Sequence, residues 1–124
     1  MREIKFRVWD GDKYISLHEA YVVHGLISIQ IPNGVRFEPE YDEVIIEQYT
    51  GLKADGKKIY EGDILASGKI YWEVVFIDGA FWARRKNGII NIKELQRKRI
   101  LAKIPIEIIG NIHENGDLLW AQNT

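Results

Sequence analysis

The chain has no cysteine, one methionine and three prolines among its 124 residues. Without thiols there is no disulfide framework, thiolate zinc site, redox pair or cysteine nucleophile. Long hydrophobic runs are missing as well. Tyr21 to Ile31 and Leu101 to Ile109 are interrupted and too short to span a bilayer. The start, MREIKFRVWDGDK, is charged and lacks the apolar centre of a signal peptide. These absences set the expectation of a soluble, cytoplasmic protein with no membrane partner. An excess of one charge sign is also lacking, with 17 Lys+Arg against 18 Asp+Glu and a formal net charge of -1. That excludes a bulk polycation for nucleic acid and leaves a local basic patch open.

What is present suits one globular domain over 1–124: 46% hydrophobic and 28% charged residues. Two-residue alternation dominates. Ile4, Phe6 and Val8 alternate with Lys5 and Arg7, and Asp10-Gly11-Asp12 supplies turn chemistry, which predicts a hairpin from Glu3 to about Leu17. Tyr21 to Ile31 reads as a strand ending at the Pro32-Asn33-Gly34 turn, and Val44 to Tyr49 as another. Thr50 to Asp63 is turn-rich, with Asp55-Gly56 as a tight hairpin pair. Asp78-Gly79 marks a hairpin between Lys69–Ile77 and Ala80–Arg85, and Asn87-Gly88 turns the chain again. Asn91 to Ala102 is the one candidate helix, with Asn91 as cap and Glu94 three residues on; Ile92 and Leu95 share a face that Ile100 does not continue. Ile106 to His113 returns to strand character. The class expected is mainly β, with at most one short helix.

Catalytic signatures are absent. His18, His24 and His113 stand on separate segments without metal-protease spacing, and no nucleophile elbow, phosphate loop or dinucleotide fingerprint occurs. The five acids of Glu38 to Glu47 read as a solvated strand face rather than an acid/base pair. No enzyme activity, metal, cofactor or small-molecule substrate is expected.

Charge placement says more than charge total. Residues 1–63 hold 8 bases and 12 acids, a balance of −4, whereas residues 64–124 hold 9 and 6, a balance of +3. Eight bases lie between Arg84 and Lys103, opposed by Glu94 alone. Aromatics beside such cations can stack bases while the cations track phosphates, which nominates Trp82, Arg84, Arg85, Lys86, Arg97, Lys98 and Arg99 as a nucleic-acid or partner surface. Equally, Trp72 and Trp82 paired across one hairpin serve as core or cross-strand packing. The basic segment can also meet the acidic Glu38 to Glu47 run, within one chain or between subunits.

Four blocks carry a family resemblance: MREIKFRVWDGDKYI, EQYTGLKADGKKIYEGDIL, YWEVVFIDGAFWARR and IEIIGNIHENGDLL. Together they resemble the YopX family of phage and prophage proteins. Residues 19–44 and 87–104 match poorly, and Gly116 stands where many members have proline. The resemblance implies an N-terminal β segment over about 1–47, an SH3-like barrel over about 48–115, a phage origin and a bacterial host cytoplasm. It implies no mechanism, because the family is of unknown function. In the matching block, Gly51, Gly56 and Gly62 suit unusual backbone angles, Tyr49 and Tyr60 suit packing with wet hydroxyls, and Asp63 suits bonding to its downstream backbone. The expectation is a non-catalytic phage accessory protein acting by protein contact, with a homo-oligomer open; the alternative is a nucleic-acid-binding module using Arg84 to Arg99.

Overall fold

Asp-Gly pairs set the register of this chain. In the computed structural model, which describes residues 5–15, 20–23, 26–30, 36–37 and 45–122, Asp55 and Gly56 both have positive φ (50° and 77°), as do Asp78 and Gly79 (51° and 79°). Two successive positive φ values define the tight turn whose twist matches antiparallel strands. Each pair therefore closes a hairpin, Ala54 facing Lys57 and Ile77 facing Ala80.

The chain divides into two compact units, Ile4–Gln48 and Tyr49 onward. In the first, β1 (Phe6–Trp9) pairs with β2 (Tyr14–Ile15) and with the start of β6 (Ile45–Ala54). Asp10 organises the β1–β2 turn: its Oδ1 accepts from Asp12 N and Lys13 N, both at 2.8 Å. Those two backbone donors favour the ionised carboxylate and lower its pKa. The residues of the expected hairpin beyond Ile15 lie outside the described residues, as do His18, His24, the Pro32–Gly34 turn and the acids from Glu38 to Glu43.

Two expectations in this unit need correction. Tyr21 to Ile31 is not one strand: β3 (Ala20–Val23) and β4 (Leu26–Gln30) pair with each other, and β5 (Arg36–Phe37) adds to β4. Glu47, assigned above to a solvated face, is buried. Register explains it. Arg7 stands directly opposite Glu47, and Arg7 Nε and Tyr14 Oη both donate to Glu47 Oε1 at 2.8 Å. Removing one partner from a buried pair of this kind costs about 3–5 kcal/mol, because the remaining charge is left uncompensated.

In the second unit β6 runs on through Thr50-Gly51, which the sequence reading had placed in a turn region. Gly51 (φ 87°) sits at a register shift, so its glycine makes a bulge and not a turn. Thr50 Oγ1 spans the irregularity by donating to Ile59 O at 2.8 Å and accepting from Leu52 N. After β7 (Lys57–Tyr60), Asp63 Oδ2 accepts from Tyr60 N, upstream of it, at 2.7 Å. Tyr49 is buried against Tyr60, with ring centroids 5.6 Å apart.

Five antiparallel strands follow in spatial order β11 (Gly88–Asn91), β10 (Ala80–Arg85), β9 (Ile70–Ile77), β8 (Asp63–Ser67) and β12 (Ile106–Asn111). The turn before β11 is Lys86-Asn87, one residue earlier than expected, because Arg85 faces Gly88. Helix α1 (Ile92–Ala102) lies against β10 and β11. Ile92 and Leu95 drop from it into a core shared with Leu65, Val74, Phe81 and Ala83.

The class is mainly β, as expected, but the limit of one helix is exceeded. Strand β12 stops at Asn111, and α2 (Ile112–Gln122), kinked at Asn115 where the backbone leaves helical angles (φ −129°, ψ 21°), packs against β8, β9 and β12. Asn111 explains the stop. Its Oδ1 accepts from His113 N and Glu114 N at 3.0 Å, and its Nδ2 donates to Glu114 Oε1 at 2.9 Å, a reciprocal cap.

Candidate functional site

Strand parity sorts the nominated residues. The Asp78-Gly79 turn places Phe81 opposite Phe76, Trp82 opposite Val75, Ala83 opposite Val74 and Arg84 opposite Glu73. Cross-strand partners share a face, so even-numbered residues of β9 lie with odd-numbered residues of β10. Trp72 and Trp82 are therefore not paired. Trp72 faces the core opposite Leu65 and is buried. Trp82 takes the other face, half-buried, with its indole N–H donating to Ile77 O at 3.2 Å.

The cations divide in the same way. Arg84 lies on the face of Trp82 and pairs with Glu73, Nη2 to Oε1 at 3.1 Å. Arg97 pairs with Glu94 on the solvent side of α1. That contact lowers the Glu94 pKa and raises that of Arg97, the side-chain hydrogen bond being the leading cause for both. Lys86 is exposed in the turn before β11. Arg85, Lys98 and Arg99, by contrast, line one groove of about 440 Å³ floored by Trp72 and Leu95. The Arg99 guanidinium carbon lies 5.2 Å from the centroid of the Trp72 ring. Arg85 Nε is buried with no hydrogen-bond partner. No acid lines the groove.

Helix α1 positions this set through its ends. Asn91 Oδ1 accepts from Lys93 N at 3.0 Å, which starts the helix. Lys103 adopts the left-handed conformation (φ 59°); its N–H and that of Ile104 bond back to Ile100 O and Arg99 O, at 3.1 and 3.0 Å. These two crossed bonds are a Schellman stop, made here without glycine, and Pro105 follows where the helix cannot continue. Gln96 Nε2 ties the helix to Lys53 O at 2.8 Å.

The sequence reading did not single out the exposed aliphatics. Ile100 and Leu101 are 75% and 72% exposed, and Ile89 on the edge strand β11 is 51% exposed. Ile100 rims a second groove, beside β12, whose lining includes both Asp55 and Glu107. The signal was available, since Ile100 breaks the face set by Ile92 and Leu95. A large aliphatic off the buried stripe must face outward.

Buried polar groups elsewhere hold structure. Glu47 holds Arg7 and Tyr14, Thr50 a bulge, Asp63 a turn, Ser67 the Ile104 carbonyl at 3.2 Å, and Asn111 a helix start. Half-buried His113 stands in the first turn of α2. Among the described residues no group of three His, Cys, Asp or Glu is placed to hold a metal ion. No helix among them is long and apolar enough to cross a membrane.

A search of curated proteins finds no match. Among solved structures, the chain is similar to the protein yopX from Bacillus subtilis, at 20% identity and a TM-score of 0.66, covering 96% of this chain and 99% of that one. It is also similar to a protein from Enterococcus faecalis, at 24% identity and a TM-score of 0.59, with the same coverage. At these identities the likeness establishes the fold alone. The sequence profile of the YopX protein family matches residues 5–120, nearly the whole chain. The chain belongs to the YopX protein family.

Proposed function

We propose that this is a non-catalytic accessory protein of phage origin that acts by protein contact, using the outward face of α1 to join a second copy of itself. The observation that carries this reading is the exposure of Ile100 and Leu101 on a helix whose other exposed residues are the cations Lys93, Arg97 and Lys98 and the small Ala102. Fully burying a large aliphatic gains about 1.5–3 kcal/mol. A two-fold contact buries each residue twice, for about 6–12 kcal/mol. Association costs about 4–15 kcal/mol. The balance places such a dimer in the weak, concentration-dependent range. Charge supports the choice of partner, because the acidic first half and basic second half of two copies are complementary.

Sedimentation velocity across micromolar concentrations tests this. The expected result is a monomer–dimer equilibrium that Leu101→Lys shifts to monomer without changing the thermal melt. A wild-type protein that stays monomeric throughout removes the reading.

A nucleic-acid module is the second reading, favoured by the convergence of Arg85, Lys98 and Arg99. It is the weaker of the two. Trp72 is buried under Arg99, and Trp82 lies on the opposite face, so no aromatic stands among these cations for a base to stack upon. Fluorescence polarisation with labelled DNA and RNA at low salt decides it. Phosphate-driven binding must appear there and fall steeply as salt is added.

A further inference from the structure

We infer that the groove between α1 and the β10–β11 hairpin is a receptor for a carboxylate-bearing peptide segment that carries an aliphatic residue next to its acid. The inference rests on the protein-contact reading and names the chemistry of a contact distinct from the Ile100–Leu101 face. Three cations, Arg85, Lys98 and Arg99, line the groove and no acid does; among the described residues Lys98 is offset only by the electrostatic pull of Glu94 one turn back, which Arg97 already pairs. The chain neutralises cations elsewhere when it has the means: Arg7 with Glu47, Arg84 with Glu73, Arg97 with Glu94. Leaving three like charges in one concavity is unfavourable unless an anion completes it.

The three cations have different parts. Arg99 is fixed by lying over Trp72, so its charge is held in place at little further entropic cost. Arg85 keeps a guanidinium donor buried and unsatisfied at Nε, and a rotation of the side chain toward the groove satisfies it on a carboxylate. Lys98 stands at the exposed margin as a mobile point charge. Around them the walls are aliphatic: Ile89, Ile90, Leu95 and Ala102. An apolar side chain beside the acid finds its place there. A nucleotide does not, because the one aromatic ring of the groove is already covered by Arg99.

Fluorescence anisotropy of labelled peptides on the full chain tests this. A Glu/Leu peptide is expected to bind saturably, a matched Gln/Leu peptide at least about tenfold more weakly, and binding should weaken with salt. Arg85→Gln should lower affinity about tenfold. Lys98→Gln, at an exposed position with no packing to lose, should lower it severalfold. It keeps the test decisive if the Arg85 variant folds poorly. Equal binding of both peptides, no binding of either, or tighter binding of a labelled oligonucleotide that Lys98→Gln abolishes overturns the inference. Sedimentation separates the two readings. Loss of peptide binding with self-association intact removes only the groove, and a monomer that still binds the Glu/Leu peptide removes only the self-association.

Discussion

Helices α1 and α2 begin with the same four-residue signal, Asn91-Ile92-Lys93-Glu94 and Asn111-Ile112-His113-Glu114, each following a strand. From there they diverge. In α2 the Glu carboxylate turns back to the capping Asn, and the body of the helix lies across β8, β9 and β12. In α1 the Glu turns forward to Arg97, and after Leu95 the half-buried residues are Gln96, bonded to Lys53 O, and Arg99, over Trp72. One cap starts a turn that kinks at Asn115 into the segment covering the sheet; the other starts an unbroken helix that displays cations and aliphatics. A start signal thus fixes where a helix begins, while the residues one and two turns later fix what it is for.

The largest way to break this contrast is at the anchor of α1. Leu95 is almost fully buried in the main core, so Leu95→Ala should cost about 2–5 kcal/mol in chemical denaturation. A loss under 1 kcal/mol by the same measurement means that α1 is not docked as described. Next come the caps. Asn111→Ala removes two accepted bonds and one donated to Glu114, and should cost about 1–2 kcal/mol; Asn91→Ala removes one accepted bond and should cost about 0.5–1 kcal/mol. Equal losses would erase the distinction between the two starts. Replacing Gly110 sharpens it further. A Cβ there comes within 2.6 Å of Asn115 Cγ at the kink of α2, so Gly110→Ala should lower the melting temperature by displacing that kink, with α1 unaffected in amide exchange.

Smaller effects belong to the exposed surface of α1. Leu101→Lys should change stability by no more than about 0.5 kcal/mol while altering the sedimentation profile. The smallest is electrostatic. Pairing with Arg97 lowers the folded-state pKa of Glu94, so its contribution is present above the unfolded value and is lost as pH falls through the folded one. A carboxyl titration followed by NMR should place the Glu94 midpoint below the ordinary glutamate range. A midpoint within that range breaks the pairing.

Much of this could be read in advance. Asp55-Gly56 and Asp78-Gly79 announced hairpins because few other pairs accept two positive φ values in succession. Asn91 and Glu94 announced α1. The same Asn-Ile-x-Glu pattern at 111–114 went unread because the strand-like run from Ile106 continues into Ile112, and two-residue periodicity hides a cap at its end. At the candidate surface, the reading found the cations but grouped them by distance along the chain. Arg84 and Arg85 are neighbours in sequence and lie on opposite faces of one sheet, because successive side chains of a strand alternate. Glu47 was misplaced for a related reason: whether an acid at the end of a charged run meets water or a guanidinium depends on which strand pairs beside it.

By itself the sequence determined the mainly β class, the turn positions and the imbalance behind the net charge of -1, since these follow from local backbone chemistry and composition. Only the tertiary structure decided that Arg85, Lys98 and Arg99 share a groove over Trp72, while Arg84 and Arg97 are neutralised elsewhere. The physical reason is register. Hairpin pairing, set by a two-residue turn, assigns each side chain its face, and helix docking then brings residues thirteen or more positions apart into one concavity.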